Sequence, residues 1–179
     1  MRSAMLGIAV RHRPHAACIV PERREERTTE GGLDAAGGAD RLRRFVAELG
    51  GAGMRVSLFI EPERRQLDAA KALGAPVVEL HTGSYCHAAV DGDQSVVQRE
   101  LRRLAEAARH GVALGLEVHA GHGLAYDTVK PVAAIRELAE LNIGHFLIGE
   151  AIFVGLEESV RTMRALMDEA RAQQGVAAE

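Results

Sequence analysis

Two residues in this sequence carry chemistry that their surroundings do not explain. Glu79 stands inside an apolar run, Val77-Val78-Glu79-Leu80, followed by His81-Thr82-Gly83. A carboxylate in such a run costs free energy unless it is paired or hydrogen-bonded. Glu79 is therefore a candidate for charge stabilisation or proton transfer, with a structural pairing to His81 or a basic side chain as the alternative. His122 lies between two glycines in His119-Ala120-Gly121-His122-Gly123. An imidazole titrating near neutral pH suits general acid work, and neighbours without side chains let backbone N–H groups approach a ligand. The alternative is a turn histidine bonded to a carbonyl. Gly121, Gly123, Gly144 and Gly149 could let helix N-termini and backbone amides meet a phosphate, an arrangement that recurs after the last strands of (β/α)8 barrels.

Other constellations point to less. His81, His119, His122 and His145 do not reproduce the helical H-E-x-x-H spacing, and no acidic partner stands at a recognisable interval, so no metal is expected. Cys86 precedes His87 but lacks a third, orienting group, which makes it a spectator thiol. Only one further cysteine, Cys18, is present, an arrangement that fits a reducing cytoplasm better than a disulfide scaffold. The 22 basic and 25 acidic residues are interspersed, with a net charge of −3 and 3% aromatics. That balance argues against a nucleic-acid or membrane surface, and no apolar run is long enough to span a bilayer.

These residues need a scaffold, and the 179-residue length suits one domain. Short apolar runs at Ala17–Val20, Val56–Ile60, Val77–Leu80, Leu116–His119 and His145–Ile148 read as strands. Their near-continuous apolar character is that of parallel strands covered on both faces. Helical periodicity occupies Arg2–Arg13, Ala39–Leu49, Pro62–Leu73, Ser95–Ala113, Thr128–Leu141 and Leu156–Ala172, with Asp127 placed to cap the fifth of these. Residues 1–172 form the domain, and 173–179 a polar tail. Five βα units fit either an open doubly wound sheet or part of a (β/α)8 barrel. Both place the ligand at the C-terminal ends of the strands, where Glu79, His122 and the long polar segment Pro21–Gly32 fall.

Five ordered motifs carry a resemblance. They are Pro21-Glu22-Arg23-Arg24 with Thr28-Thr29-Glu30-Gly31-Gly32-Leu33-Asp34, Val56-Ser57-Leu58-Phe59-Ile60, Glu79-Leu80-His81-Thr82-Gly83, Ala120-Gly121-His122-Gly123-Leu124, and Leu141-Asn142-Ile143-Gly144-His145, supported by Val154-Gly155-Leu156. In this order they resemble the PdxJ family of pyridoxine 5′-phosphate synthases. The resemblance implies an α/β chain of the (β/α)8 TIM-barrel family, here an incomplete barrel of about five parallel strands and their helices. It also implies condensation of 1-deoxy-D-xylulose 5-phosphate with 3-amino-2-oxopropyl phosphate to give pyridoxine 5′-phosphate, inorganic phosphate and water, with no cofactor. By motif matching, His122 would donate the proton and Glu79 would stabilise charged transition states. Thr28, Gly123, Gly144 and His145 would contact the phosphorylated substrate or product. A cytoplasmic homo-oligomer, an octamer in the family, is expected.

The family also uses an Asn-x-Asp-His motif, a phosphate-binding Arg, a His acid/base and a Glu base, all on earlier βα units without a counterpart here. His119 stands where the family often has Asn. The expectation is therefore a synthase sequence whose 179 residues are inactive alone. The alternative is a non-catalytic homologue that binds phosphate ligands or completes its barrel with a partner chain.

Overall fold

A computed structural model describes residues 3–21 and 31–176. In chain order the elements are α1 (Ser3–His12), β1 (Ala16–Ile19), α2 (Ala39–Gly51), β2 (Arg55–Ile60), α3 (Arg64–Ala72), β3 (Val77–His81), α4 (Gly83–Val90), α5 (Gln94–Ala113), β4 (Glu117–Gly121), α6 (Val129–Ala133), β5 (Leu138–Asn142), α7 (His145–Val154) and α8 (Leu156–Val176). The five strands form one sheet in the order β1-β2-β3-β4-β5, and every adjacent pair is parallel. A doubly wound sheet reverses its strand order at a switch point. Here each strand adds beside its predecessor, the winding of a (β/α)8 barrel, and among the described residues the sheet has five strands and is not closed.

Strand alternation divides the sheet into two chemically different faces. On one face Ile19, Val56, Leu58, Ile60, Val78, Leu80, Val118 and Ala120 are each no more than 1% exposed. They share a core with Leu42, Phe45, Val46 and Leu49 of α2, Leu67 and Ala70 of α3, and Leu104, Ala107 and Ala108 of α5. Those helical positions recur at three and four residues, the spacing that gives a helix one apolar stripe. The opposite face carries Arg55, Ser57, Phe59, Glu79, His81, Glu117, His119, Glu140 and Asn142. Register aligns Phe59 with Glu79, Glu79 with His119, and His119 with Glu140.

Four of the five expected strands lie where the apolar runs place them, within one or two residues. The fifth does not: His145–Ile148 belongs to helix α7, and the last strand is Leu138–Asn142, which overlaps the end of the segment expected to be helical to Leu141. A short apolar run has the same appearance in a buried strand and in a helix. Here the run lengthens into α7, which buries none of its residues. The true strand is camouflaged by Glu140 and Asn142, whose side of the sheet is the polar one. Asp127 is not the cap of α6 either. Thr128 occupies that position, with no capping bond from its side chain. The Thr128 hydroxyl turns to the Ala125 N–H at 2.8 Å and the Ala125 carbonyl at 3.2 Å instead. Helix α5 does have a side-chain cap: Asp93 accepts from the Ser95 and Val96 N–H groups. Helix α8 continues through Val176, into the stretch read as a tail.

Candidate active site

The C-terminal ends of β1 to β5 meet at a cavity of about 550 Å³. Glu79, His122, Gly123, Gly144 and His145 all line it, together with Phe59, Asn142 and Phe146. Thr28 lies outside the described residues.

Glu79 enters from the middle strand of the sheet. Its Oε2 accepts a hydrogen bond from Asn142 Nδ2 at 3.0 Å and a weak one from Cys18 Sγ at 3.8 Å. Its pKa is raised above the usual carboxylate value, chiefly by burial. The Cys18 contact, the nearby His119 and the Asn142 bond oppose that rise, while Glu140 adds to it. The site therefore has a carboxylate whose charge is incompletely compensated and would be better stabilised by a cationic group in the cavity. Gly121 makes room for it, since a Cβ there would lie 2.6 Å from Glu79 Oε1 and 2.7 Å from the Asn142 carbonyl oxygen.

The alternative reading, a structural pairing of Glu79 with His81, is not what forms. His81 Nδ1 lies 2.9 Å from Glu61 Oε1 instead. That contact, with the Gly32 N–H and the Arg103 guanidinium, pulls the Glu61 carboxyl down to about 2. An ionised carboxylate only accepts hydrogen bonds, so Nδ1 of His81 carries a proton. The His81 ring lies 5.0 Å from that of His122, and Phe59 lies 6.2 Å from His122, centroid to centroid.

His122 has a φ of +83°, a left-handed conformation that a residue with a Cβ seldom adopts. Such conformations persist where surrounding structure over-determines them, and they cluster at functional sites. The hydroxyl of Thr82 lies 2.7 Å from the Gly121 carbonyl oxygen and 2.5 Å from that of His122. Cys86 is buried beneath this loop, its Sγ 3.7 Å from the His122 carbonyl oxygen and its thiol pushed up to about 11, mainly by burial. That is packing chemistry, not the setting of a nucleophile.

Across the cavity, Gly144 is the N-cap of α7 and no side chain caps that helix. Gly144, His145 and Phe146 all line the cavity, so the positive end of a ten-residue helix faces it. His145 is thus the first residue of a helix, not of a strand.

Beneath Glu79 lies a charged layer. Arg55 Nη1 is 2.7 Å from Glu117 Oε1, and His119 Nε2 is 2.6 Å from that same oxygen. His119 Nδ1 lies 3.4 Å from Glu140 Oε1. Sequence reasoning missed Asn142 and Thr82 as contributors. Asn142 belongs to one of the five motifs, but its role depends on locating β5. Thr82 also belongs to one of them, but its role depends on a contact with a loop 40 positions away.

Among the described residues, no helix is long and apolar enough to cross a membrane, and no three His, Cys, Asp or Glu side chains gather as metal ligands. A "Crystal Structure of Xylose isomerase domain protein from Planctomyces limnophilus" superposes with a TM-score of 0.53 at 14% identity, over 90% of this chain and 65% of that one. At that identity it shows the TIM-barrel-like fold alone. Among curated proteins, the pyridoxine 5′-phosphate synthase of Rhodospirillum rubrum is 67% identical over 174 residues, 97% of this chain and 68% of the relative. That of Jannaschia sp. is 64% identical over 167 residues, 93% of this chain and 67% of the relative. The chain thus spans about two thirds of the length of these relatives. With the family model described as pyridoxal phosphate biosynthesis protein PdxJ matching residues 1–169, the chain belongs to the PdxJ family.

Proposed function

We propose that the cavity is a reaction centre of a pyridoxine 5′-phosphate synthase, an enzyme of vitamin B6 biosynthesis. It would condense 1-deoxy-D-xylulose 5-phosphate with 3-amino-2-oxopropyl phosphate and release pyridoxine 5′-phosphate, inorganic phosphate and water. The observation that carries this is the convergence of Glu79, His122 and the N-terminal end of α7 on one cavity. Imine formation, elimination of water and phosphate, and ring closure need positioned acids, bases and anion contacts. The imidazole of His122 delivers a proton to a departing oxygen. The Glu79 carboxylate, poorly compensated in the ground state, gains most when positive charge develops on the condensing nitrogen, which is differential stabilisation of the transition state. Gly123, Gly144 and His145 hold a phosphate group, with the α7 dipole adding to their N–H contacts. Thr28 is proposed to join them from the other side.

The function includes a cytoplasmic homo-oligomer. Its support is the apolar surface of Ile148, Ile152 and Phe153 on α7, which are 61%, 79% and 85% exposed, a patch that self-association would cover. The 179-residue chain supplies one proton donor and one charge stabiliser but not the further acid and base that ring closure requires. Incubated alone with both substrates, it forms no pyridoxine 5′-phosphate, while its cavity still binds that product, followed by the product's own fluorescence. Clear turnover by the chain alone would overturn the division of labour. In a full-length relative, replacing the histidine that matches His122 by alanine lowers turnover by about 10² or more, the usual worth of a positioned general acid. Retained turnover there would remove His122 from the chemistry.

A further inference from the structure

Thr82 is not among the cavity-lining residues, yet it grips the His122 loop from behind. It is completely buried. Its N–H donates to the Gly121 carbonyl at 2.9 Å, and its own carbonyl accepts from Cys86 N at 3.0 Å, which ties it into the first turn of α4. Its hydroxyl lies 2.7 Å from the Gly121 oxygen and 2.5 Å from the His122 oxygen. A hydroxyl has one proton to donate, so that proton is shared between two successive carbonyls. A peptide chain in ordinary β geometry points successive carbonyls in opposite directions. Both can face one hydroxyl because the backbone turns left-handed at His122, with φ +83°.

We propose that Thr82 is the positioning residue for His122: its hydroxyl holds the left-handed turn and so aims both the His122 imidazole and the Gly123 N–H into the cavity. The second half follows from peptide geometry. The carbonyl of one residue and the N–H of the next are antiparallel across a planar trans peptide. Drawing the His122 oxygen onto Thr82 turns the Gly123 N–H the opposite way, toward the cavity that Gly123 lines. One buried hydroxyl thereby sets the direction of a proton donor and of an anion contact together. The Sγ of Cys86, 3.7 Å from the His122 oxygen, is too weak a donor to replace it. The proposal rests on His122 and Gly123 acting as described under Proposed function, but the backbone geometry can be tested apart from that role.

The test uses NMR on the complete 179-residue chain with Thr82→Val, which keeps the shape and removes the hydroxyl, and Thr82→Ser, which keeps the hydroxyl. A positive φ brings a residue's own amide and Hα protons close and gives a strong intraresidue cross-peak. Wild type and Thr82→Ser show that cross-peak at residue 122, and Thr82→Val loses it. Titrated with pyridoxine 5′-phosphate, Thr82→Val binds at least tenfold more weakly and its Gly123 amide no longer shifts, whereas Thr82→Ser stays within threefold of wild type. A Thr82→Val chain that is merely less stable, with the residue 122 cross-peak and the Gly123 response intact, overturns the proposal. If wild type does not bind the product, the functional assignment of the cavity fails, and the cross-peak still decides the role of Thr82. If Thr82→Val does not fold, the Thr82 hydroxyl proton in wild type decides. Held between two buried carbonyls it exchanges slowly and is observed, and exchange at the rate of a free hydroxyl overturns the proposal.

Discussion

Replacing Gly121 by alanine tests whether the floor of the site is as tightly built as its geometry implies. An added Cβ would lie 2.6 Å from Glu79 Oε1, 2.7 Å from the Asn142 carbonyl oxygen and 3.0 Å from Asn142 Cβ. The carboxylate can swing away, but the Asn142 oxygen is backbone of β5, so that strand has to shift. Overpacking of this kind costs about 1–3 kcal/mol. Loosening the Asn142 to Glu79 bond adds about 1 kcal/mol, and the reduced entropy of the unfolded alanine chain returns about 0.5 kcal/mol. The net loss is about 1.5–3.5 kcal/mol. With a urea slope of about 2 kcal/mol per molar, the unfolding midpoint falls by about 0.8–1.8 M. Far-UV circular dichroism is the readout, because the sequence contains no tryptophan. Gly149→Ala is the control. That glycine lies within α7, and a methyl group added there would have nothing within 4 Å. The substitution should stabilise by about 0.5–1 kcal/mol. A Gly121→Ala midpoint within about 0.2 M of wild type would refute the steric account and with it the close seat given to Glu79.

Three further outcomes follow from the electrostatics. The Glu61 carboxyl is held near 2, below its ordinary 4.5, first by its hydrogen bond with His81. Its stabilisation is therefore complete above about pH 4.5 and lost as pH falls toward 2, worth about 1–2 kcal/mol once solvent screening of this part-exposed group is allowed for. The stability gap between wild type and Glu61→Gln should close over that window in urea titrations, and a pH-independent gap would contradict the pairing. Glu79 has the opposite sign. Its raised pKa makes wild-type stability decline as pH climbs from the unfolded value through the folded one. Glu79→Gln should lack that decline and keep its fold, and the matching change in a full-length relative should cost activity; a collapse in thermal stability would instead assign Glu79 a structural role. Cys18 is exposed as a residue, yet the atoms packed around its thiol, and then the Glu79 carboxylate, push that thiol up to about 12. The loss of about 10³ in thiolate population, partly offset by higher intrinsic nucleophilicity, leaves iodoacetamide alkylation at pH 8 about 30-fold slower than for an unstructured cysteine. Glu79→Gln should restore part of that rate, and alkylation of wild type at the free-peptide rate would rule out the Cys18 to Glu79 contact.

The legible and illegible parts of this protein separate by physical cause. The first four strands are visible in the sequence because their helix-facing side chains are Val, Leu and Ile, and Glu79 stands out against them. The fifth strand is hidden because its inward positions, Glu140 and Asn142, belong to the polar face. The neighbouring apolar run of α7 draws the assignment away, because nothing in a single sequence distinguishes an exposed apolar helix from a buried strand of the same composition. Glu79, His122, Gly123, Gly144 and His145 nonetheless converge on one cavity. All lie near strand ends, and a parallel sheet brings its C-terminal ends together whatever the exact boundaries. Contacts between residues far apart in the chain are beyond the reach of pattern and spacing. The preference of His81 for Glu61 over Glu79 is one such contact. The grip of Thr82 on a carbonyl 40 positions away is another.

The two faces of the sheet divide stability from chemistry, and this gives His119 a role. A barrel interior is ordinarily filled by layers of bulky branched side chains. Here the inner rows carry Arg55, Glu117, His119 and Glu140 linked by short ion pairs. None of these four lines the cavity, yet His119 and Glu140 both act on Glu79, one lowering its pKa and the other raising it. Because His119 also touches both Glu117 and Glu140, a change at any member of the layer alters the field at Glu79 without touching ligand. The apolar face can therefore tolerate volume-conserving exchanges of Val, Leu and Ile. On the polar face even an isosteric change such as Glu140→Gln removes a charge that acts on Glu79, and the carboxylate's titration shifts downward as a result.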